Sequence, residues 1–396
     1  MLRHMPLLAA ILIIGAPMTG QAKIPKDTVK IGILQEMPRP YADRTGRGAL
    51  VAAQLAASDF ETEHMRGEAE ILPGKARTSA TGDLDEVKTW LEKEDVAAVI
   101  SSASADENGR LAKLLQSHNR TLLIAGSAEE RSSEPCGPNV VVWGAGSRSR
   151  ANALAHALVP DGGKRWFLVA EQTPAGVASA AALEEAVDAA GGKIVGRTDP
   201  VPGGVELQGD MKPIEQAGAQ VVALSILGPD LAGALRDAQL GGLTHRAVLA
   251  SPFATVQDVD QAGAAAAEGL VVAAPFYWDA NARTRRFAKR WDENRDATHV
   301  SENAAYVYAA ALSFMHAARS VDDIAADKVI GALRHAPIDD TLFGQVHVTE
   351  NGRVRYDIGV YRVKAPSDIQ KQWAYLSKIK SVPADAAFDA KDCAER

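Results

Sequence analysis

Apolar positions along this chain gather into short continuous runs separated by amphipathic stretches, and the alternation repeats. Val29–Leu34 is a β-branched apolar run, which predicts a strand buried on both faces. Glu36–Thr45 holds two prolines, a tyrosine and several charges, which predicts a loop. From Gly46 onward Leu50, Val51, Ala53, Gln54, Leu55, Ala57 and Phe60 give an amphipathic helix. The pattern then recurs. Val96–Ser101 reads as a strand ending in Ser102-Ala103-Ser104, and Gly109–Ser117 as a helix. Thr121–Ile124 reads as a strand ending in Ala125-Gly126-Ser127, followed by a strand at Val140–Trp143. Strands alternating with helices predict a parallel sheet with right-handed crossovers.

A second series follows. Strands are expected at Trp166–Ala170, Lys193–Gly196, Val221–Ser225, Ala247–Ala250 and Gly269–Ala273. Helices are expected at Gly176–Ala190, Asp210–Gln216 and Ala232–Leu240, then at Thr284–Asn294, Glu302–Arg319 and Asp327–His335. Arg353–Val363 and Trp373–Lys380 read as closing antiparallel strands. The fold class is therefore α/β: two Rossmann-like lobes with parallel sheets, joined by a three-segment hinge. Crossings are expected near Gly144–Ser147, Phe276–Asp279 and Glu350–Tyr356, with residues 27–145 and 279–352 in one lobe and 146–278 and 353–396 in the other. In open α/β sheets ligands bind beyond the carboxyl ends of the strands, here between the lobes.

The first 22 residues stand apart. Arg3 and His4 form a basic start, Leu7–Gly15 an apolar region, and Gly20-Gln21-Ala22 a small-residue cleavage site, so a signal peptide and export to the periplasm are expected. The net charge of −7 becomes −8 once Arg3 is removed, and no basic stripe appears, which argues against a nucleic-acid partner. Cys136 and Cys393 are the chain's two cysteines; in an oxidising compartment an even count predicts a disulfide, with two buried thiols as the alternative.

Candidate chemistry other than binding is sparse. Gly46-Arg47-Gly48 lacks the third glycine of a dinucleotide fingerprint, since position 51 is Val51, so no nucleotide cofactor is expected. The nine histidines form no H-E-x-x-H pair or zinc-type cluster, and there is no G-x-S-x-G elbow. The acidic pairs Asp322-Asp323 and Asp339-Asp340 lack the alternating oxygen pattern of a calcium loop and read as caps or solvated residues. No enzyme activity, metal or cofactor is expected.

VKIGIL with PYADRTGRGALVAAQLAASDF, CGPNVVVW, AAGGKIVG and AAEGLVVAAPFYWD resemble type I periplasmic solute-binding proteins. The resemblance is to the leucine/isoleucine/valine-binding family, and within it to the branch that takes aromatic and other organic acids. It implies a monomeric receptor that traps a small solute and delivers it to the permease of an ABC importer; a ligand-sensing subunit acting on a signalling partner is the alternative. By resemblance, the ligand carboxylate is held by Ser102, Ala103 and Ser104 and by the turn of Ala125, Gly126 and Ser127. Short side chains at helix N-termini let backbone N–H groups reach an anion, which suits that role. Glu129-Glu130-Arg131 stands where relatives carry Ala-Thr-Ser-Asp; facing the cleft Glu129 would repel a carboxylate and favour a cation, and whether it and Arg148 line the cleft is open. In the second lobe an expected tyrosine is replaced by the stretch Glu171–Gly176, in which Thr173 is the expected contact. The glutamate that answers an amino acid's ammonium is replaced by Ser251-Pro252-Phe253-Ala254, leaving Phe253 as an apolar wall or core residue. Phe276 and Tyr277 close the pocket floor or staple the lobes, and Tyr41 is a rim contact.

Overall fold

The computed structural model describes residues 23–34, 42–63, 67–74, 83–126, 137–294 and 299–388. In the first lobe β1 (Thr28–Ile33), α1 (Ala42–Glu63), β2 (Glu68–Pro73), α2 (Asp83–Thr89), β3 (Ala98–Ser101), α3 (Ala105–Ser117), β4 (Thr121–Ala125) and β5 (Val140–Trp143) follow in order. Their five strands form a parallel sheet in the order β2-β1-β3-β4-β5. β3, β4 and β5 are buried at every position, as AVIS, TLLIA and VVVW require of strands covered on both faces. β2 lies at the edge, and EAEILP is only half-buried, which explains why apolar patterning alone passes over it. α1 begins at Ala42, inside the stretch expected to be loop.

The second lobe runs through α4 (Ser147–Leu158), β6 (Arg165–Ala170), α5 (Pro174–Ala189), β7 (Lys193–Thr198), α6 (Leu207–Ala217), β8 (Val221–Ser225), α7 (Gly228–Leu240), β9 (Val248–Ser251), α8 (Val256–Ala262), α9 (Ala264–Ala267) and β10 (Val271–Ala274). The chain then adds α10 (Ala282–Asn294), α11 (Glu302–Val321), α12 (Ala326–His335), β11 (Ile338–Asp340), β12 (Gly344–Val348), β13 (Val354–Arg355), β14 (Ile358–Val363), β15 (Leu376–Val382) and α13 (Ala384–Ala387). A seven-stranded sheet has the order β15-β14-β10-β9-β8-β6-β7, antiparallel only at β14 and β15. The strand expected over Arg353–Val363 divides at Tyr356-Asp357: β13 pairs with β12 in a small third sheet, whereas β14 joins the large one.

α11 returns to the first lobe, packing on α1 and on β1, β3, β4 and β5. It is apolar around its whole circumference and buried along most of its length, as a helix sandwiched between others must be. Ser301 caps its N-terminus by accepting the Ala304 N–H. Alanine at positions 304, 305, 309, 310, 311, 317 and 318 keeps its surface smooth, so neighbours approach closely.

The passages between sheets share one location. β5 and β10 run out of their sheets at their carboxyl ends, and β14 enters opposite Ala274, the last residue of β10. The passage into β13 runs beside β5, where Val142 and Arg353 form a parallel bridge. Both sheets therefore turn their carboxyl edges toward the junction. Close backbone approach there demands glycine: a Cβ on Gly144 (φ +130°) would lie 2.1 Å from Gly126 O, and one on Gly352 (φ +83°) 2.1 Å from Val140 O.

Candidate functional site

On the first lobe, the carboxyl ends of β3 and β4 are adjacent, with Ser101 in register with Ile124. Ser102 to Ser104 therefore stand beside Ala125 and Gly126. The β3 turn is fixed from below. Ser101 Oγ donates to Asn108 Oδ1 (2.8 Å), Asn108 Nδ2 donates to Ala103 O (2.9 Å), and the Ala103 N–H donates to Ser101 Oγ (3.1 Å). Ser101 and Asn108 are both fully buried, so this triangle is rigid. Ser104 is the N-cap of α3 and accepts the Glu107 N–H, which points the first-turn amides toward the junction. Asp106 and Glu107 in that turn already offset part of the helix dipole. Tyr41, Ser127 and Glu129 lie outside the described residues, as do Cys136 and Cys393.

On the second lobe, β6 and β8 are neighbours, Ala170 opposite Ser225, and β9 lies beyond β8. Thr173 is the N-cap of α5, its hydroxyl accepting the Gly176 N–H at 3.0 Å. Phe253 is half-buried in the turn after β9, two strands from Thr173 and so about 10 Å away across the edge. Ser251 Oγ accepts the Phe253 and Ala254 N–H groups at 3.3 and 3.2 Å and holds that turn. Between them stands Glu171, only 6 % exposed, whose backbone N–H donates to Ser225 O at 3.1 Å. Arg148 pairs with Glu185 on the neighbouring helix.

Phe276 and Tyr277 occupy the junction itself. Phe276 packs on Phe287 and Phe343, with ring centroids 6.2 and 6.4 Å apart. Tyr277 packs edge-on against Tyr361 and Trp278. Its hydroxyl accepts the Leu376 N–H at 3.2 Å, and burial pushes its pKa above the usual tyrosine range. Both also line a small cavity of about 20 Å³, room for about one water.

Sequence patterning passed over the buried charges beside them. Arg150 of α4, 3 % exposed, donates to Ala145 O (3.1 Å), Ala273 O (2.9 Å) and Pro252 O (3.4 Å), and its remaining nitrogen pairs with Glu302 of α11. Tyr306 Oη donates to Glu302 Oε1 (2.9 Å) and accepts the Ala145 N–H (3.2 Å). One guanidinium thus joins both lobes and the segment between them. Burial opposes the cation, and the oxygens of Glu302, Tyr306 and Tyr356 more than offset it, holding its pKa above the ordinary value. The available signal was spacing: Arg150 shares a helix face with Ala153, Leu154 and Ala157, a core stripe in which a charge needs a partner.

A second brace is aromatic. His299, just before α11, stacks on Trp373 from the β14–β15 connection (5.1 Å, interplanar angle 6°) and meets Trp278 edge-on at 5.0 Å. Trp278 Nε1 donates to Trp373 O at 2.8 Å, and Lys371 Nζ lies 4.8 Å from the Trp278 ring centre. Trp373 holds φ +68°, a left-handed conformation unusual for a bulky residue. Burial, and secondarily Lys371, lowers the His299 pKa to about 4.

Comparison with known proteins agrees with this geometry. The chain superposes on a branched-chain amino acid ABC transporter periplasmic ligand-binding protein from Burkholderia xenovorans LB400, with TM-score 0.83 and 23 % identity, covering 92 % of this chain and 100 % of that one. A leucine-, isoleucine-, valine-, threonine- and alanine-binding protein from Brucella ovis in a closed conformation gives TM-score 0.77, 19 % identity and coverages of 93 % and 98 %. An ABC transporter solute-binding protein from Rhodopseudomonas palustris HaA2, in complex with p-hydroxybenzoic acid, gives 0.71, 17 % and coverages of 90 % and 98 %. At these identities the likeness speaks for the fold. A search of curated protein sequences finds no match. A sequence profile described as "Periplasmic binding protein" matches residues 28–368, and the chain belongs to that family.

Proposed function

We propose that this protein captures a small carboxylate-bearing solute between its lobes and delivers it to the membrane permease of an ABC importer. The solute is an organic or aromatic acid or a branched-chain amino acid, and the protein works as an exported, non-catalytic monomer. Residues 27–145 with 279–352 form one jaw and 146–278 with 353–396 the other, and hinge motion closes them. The observation that carries this reading is the pair of adjacent small-residue turns at the ends of β3 and β4. There Ser102, Ser104, Ala125 and Gly126 are the residues whose main-chain N–H groups would meet an acid group, while Ala103, its own N–H held by Ser101 Oγ, and Asn108 fix the geometry. Such a rim binds an acid group with little reorganisation. Thr173 and Phe253 complete the opposite wall, and the likeness to amino acid-binding proteins and to one in complex with p-hydroxybenzoic acid supports the ligand class.

The test is a thermal-shift and calorimetric screen of the mature protein against benzoates, dicarboxylates, amino acids and ureas. A ligand present at a hundred times its Kd and bound only by the native state stabilises it by about 2.7 kcal/mol, a readily seen rise in Tm. Stabilisation by acids that Ser102→Asp abolishes is the expected result. Stabilisation by uncharged ureas alone overturns the carboxylate reading, and turnover of any bound compound overturns the non-catalytic one.

A further inference from the structure

Glu171 is the charged group of the second lobe that the binding reading leaves unexplained. It directly follows β6, at the carboxyl edge of the sheet, and its side chain turns to the β8–α7 connection, where it accepts the Leu227 N–H. Leu227 is the N-cap of α7. Glu171 therefore occupies the anion position that a helix N-terminus offers. The chain's own carboxylate fills that position, and a ligand carboxylate has no place there.

The arrangement is only half satisfied. Among the described residues Glu171 Oε2 has no hydrogen-bond partner. Burial first, and then the Asp230 carboxylate in the first turn of α7, push the Glu171 pKa up, and among the described residues no cation acts on it. A buried carboxylate with an open lone pair and a second acid nearby is costly until a donor reaches it, and a cationic donor relieves it most. Elsewhere on this edge the turn after β9, Ser251 to Ala254, carries no charge. The first lobe presents main-chain N–H groups at its rim, so the two jaws differ in polarity: one offers donors, the other an acceptor.

We propose that Glu171 is the specificity-determining residue of the second lobe, selecting solutes that carry an ammonium or similarly donor-rich nitrogen opposite their acid group. The inference rests on the reading that the solute lies between the lobes with its carboxylate on the Ser102–Gly126 rim. It returns a zwitterionic ligand to favour although the turn after β9 is uncharged.

Calorimetry with matched probes tests it. The twenty common amino acids are screened first. Leucine is then compared with 2-hydroxy-4-methylpentanoate, 4-methyl-2-oxopentanoate and isoamylamine, and 4-(aminomethyl)benzoate with 4-methylbenzoate and benzylamine. The expected result is at least tenfold tighter binding of an ammonium-bearing acid than of its matched acid without nitrogen. Glu171→Gln should erase that preference while leaving the nitrogen-free acids unchanged or bound more tightly. Equal or tighter binding of the nitrogen-free acids by the wild type, no binding of any ammonium-bearing probe, or an unchanged preference in Glu171→Gln overturns the proposal. The wild-type comparison decides even where the variant folds poorly. Amines that bind as tightly as the amino acids leave Glu171 its role and overturn the carboxylate reading instead, so the two failures are distinct.

Discussion

The junction between the lobes and the cleft edge of the second lobe both bury charge, and they treat it in opposite ways. At the junction Arg150 makes three hydrogen bonds to carbonyls and an ion pair with Glu302, and Tyr306 takes up the second role of that carboxylate. Each guanidinium nitrogen is answered within the chain, from the β5–α4 passage, α11 and the strand ends of the second sheet. At the cleft edge Glu171 is buried almost as deeply, yet among the described residues one of its oxygens has no partner and its charged neighbour, Asp230, is of the same sign. A fully satisfied buried charge fixes geometry; a half-satisfied one is stable only because the fold around it is stable. The first belongs to architecture and the second to recognition.

Breaking the satisfied region should have the largest effect. Arg150→Met leaves Glu302 buried without its partner and should cost about 3–5 kcal/mol of unfolding free energy in urea titrations. Replacing both members, Arg150→Met with Glu302→Leu, should recover much of that loss. A single variant costing under about 1 kcal/mol would show that the junction does not depend on this charge.

The turn on the first lobe sharpens the contrast with a smaller change. Asn108→Ala removes two buried hydrogen bonds and leaves Ser101 Oγ and Ala103 O short of partners, for a loss of about 1–3 kcal/mol. Affinity for acid probes should fall together with stability, because the turn loses its fixed shape; calorimetry on the folded variant reads this directly.

The aromatic brace introduces a pH dependence. With its folded pKa lowered to about 4, His299 is neutral in its stack, while the unfolded chain takes up a proton near 6.5. Stability should therefore fall as pH drops from about 6.5 toward 4. Asp340, buried and pushed up to about 6, acts with the opposite sign across an overlapping window, gaining stability as pH falls. His299→Phe keeps an aromatic ring and removes the titration, so its Tm profile should lose the acid-side fall relative to wild type. A profile superposable on wild type would exclude His299 as the source.

The least effect on stability is expected from Glu171→Gln in the ligand-free protein. Removing a charge that burial and Asp230 disfavour should change stability by less than about 1 kcal/mol, in the stabilising direction, by urea titration at pH 7. A loss of several kcal/mol would place Glu171 with Arg150 among the architectural charges.

Much of this architecture was legible in the chain because it rests on local composition. The runs VAAVIS, TLLI and VVVW read as strands since short β-branched runs bounded by small residues suit that element, and they became β3, β4 and β5. The carboxyl-end turns followed from the same alternation. The edge strand β2 escaped because half its side chains face water, and helix α4 because its apolar face is mostly alanine. Arg353–Val363 looked continuous because pairing partners, which divide it between two sheets, lie far away in sequence.

The sequence by itself determined the two αβ series and the small residues that end β3 and β4, since each is a property of a short window. Tertiary structure alone decided which charges are buried and what answers them. Arg150 meets Glu302 across 152 positions, and the group that fills the N-terminus of α7 comes from Glu171, 56 residues before Leu227. Phe276 and Tyr277, read as pocket floor or staple, meet Phe343, Tyr361 and the Leu376 N–H, all from distant segments. The physical reason is common to all three: the free energy of a buried polar or aromatic group depends on the partner that folding delivers, and that partner leaves no trace in its own neighbourhood of the chain.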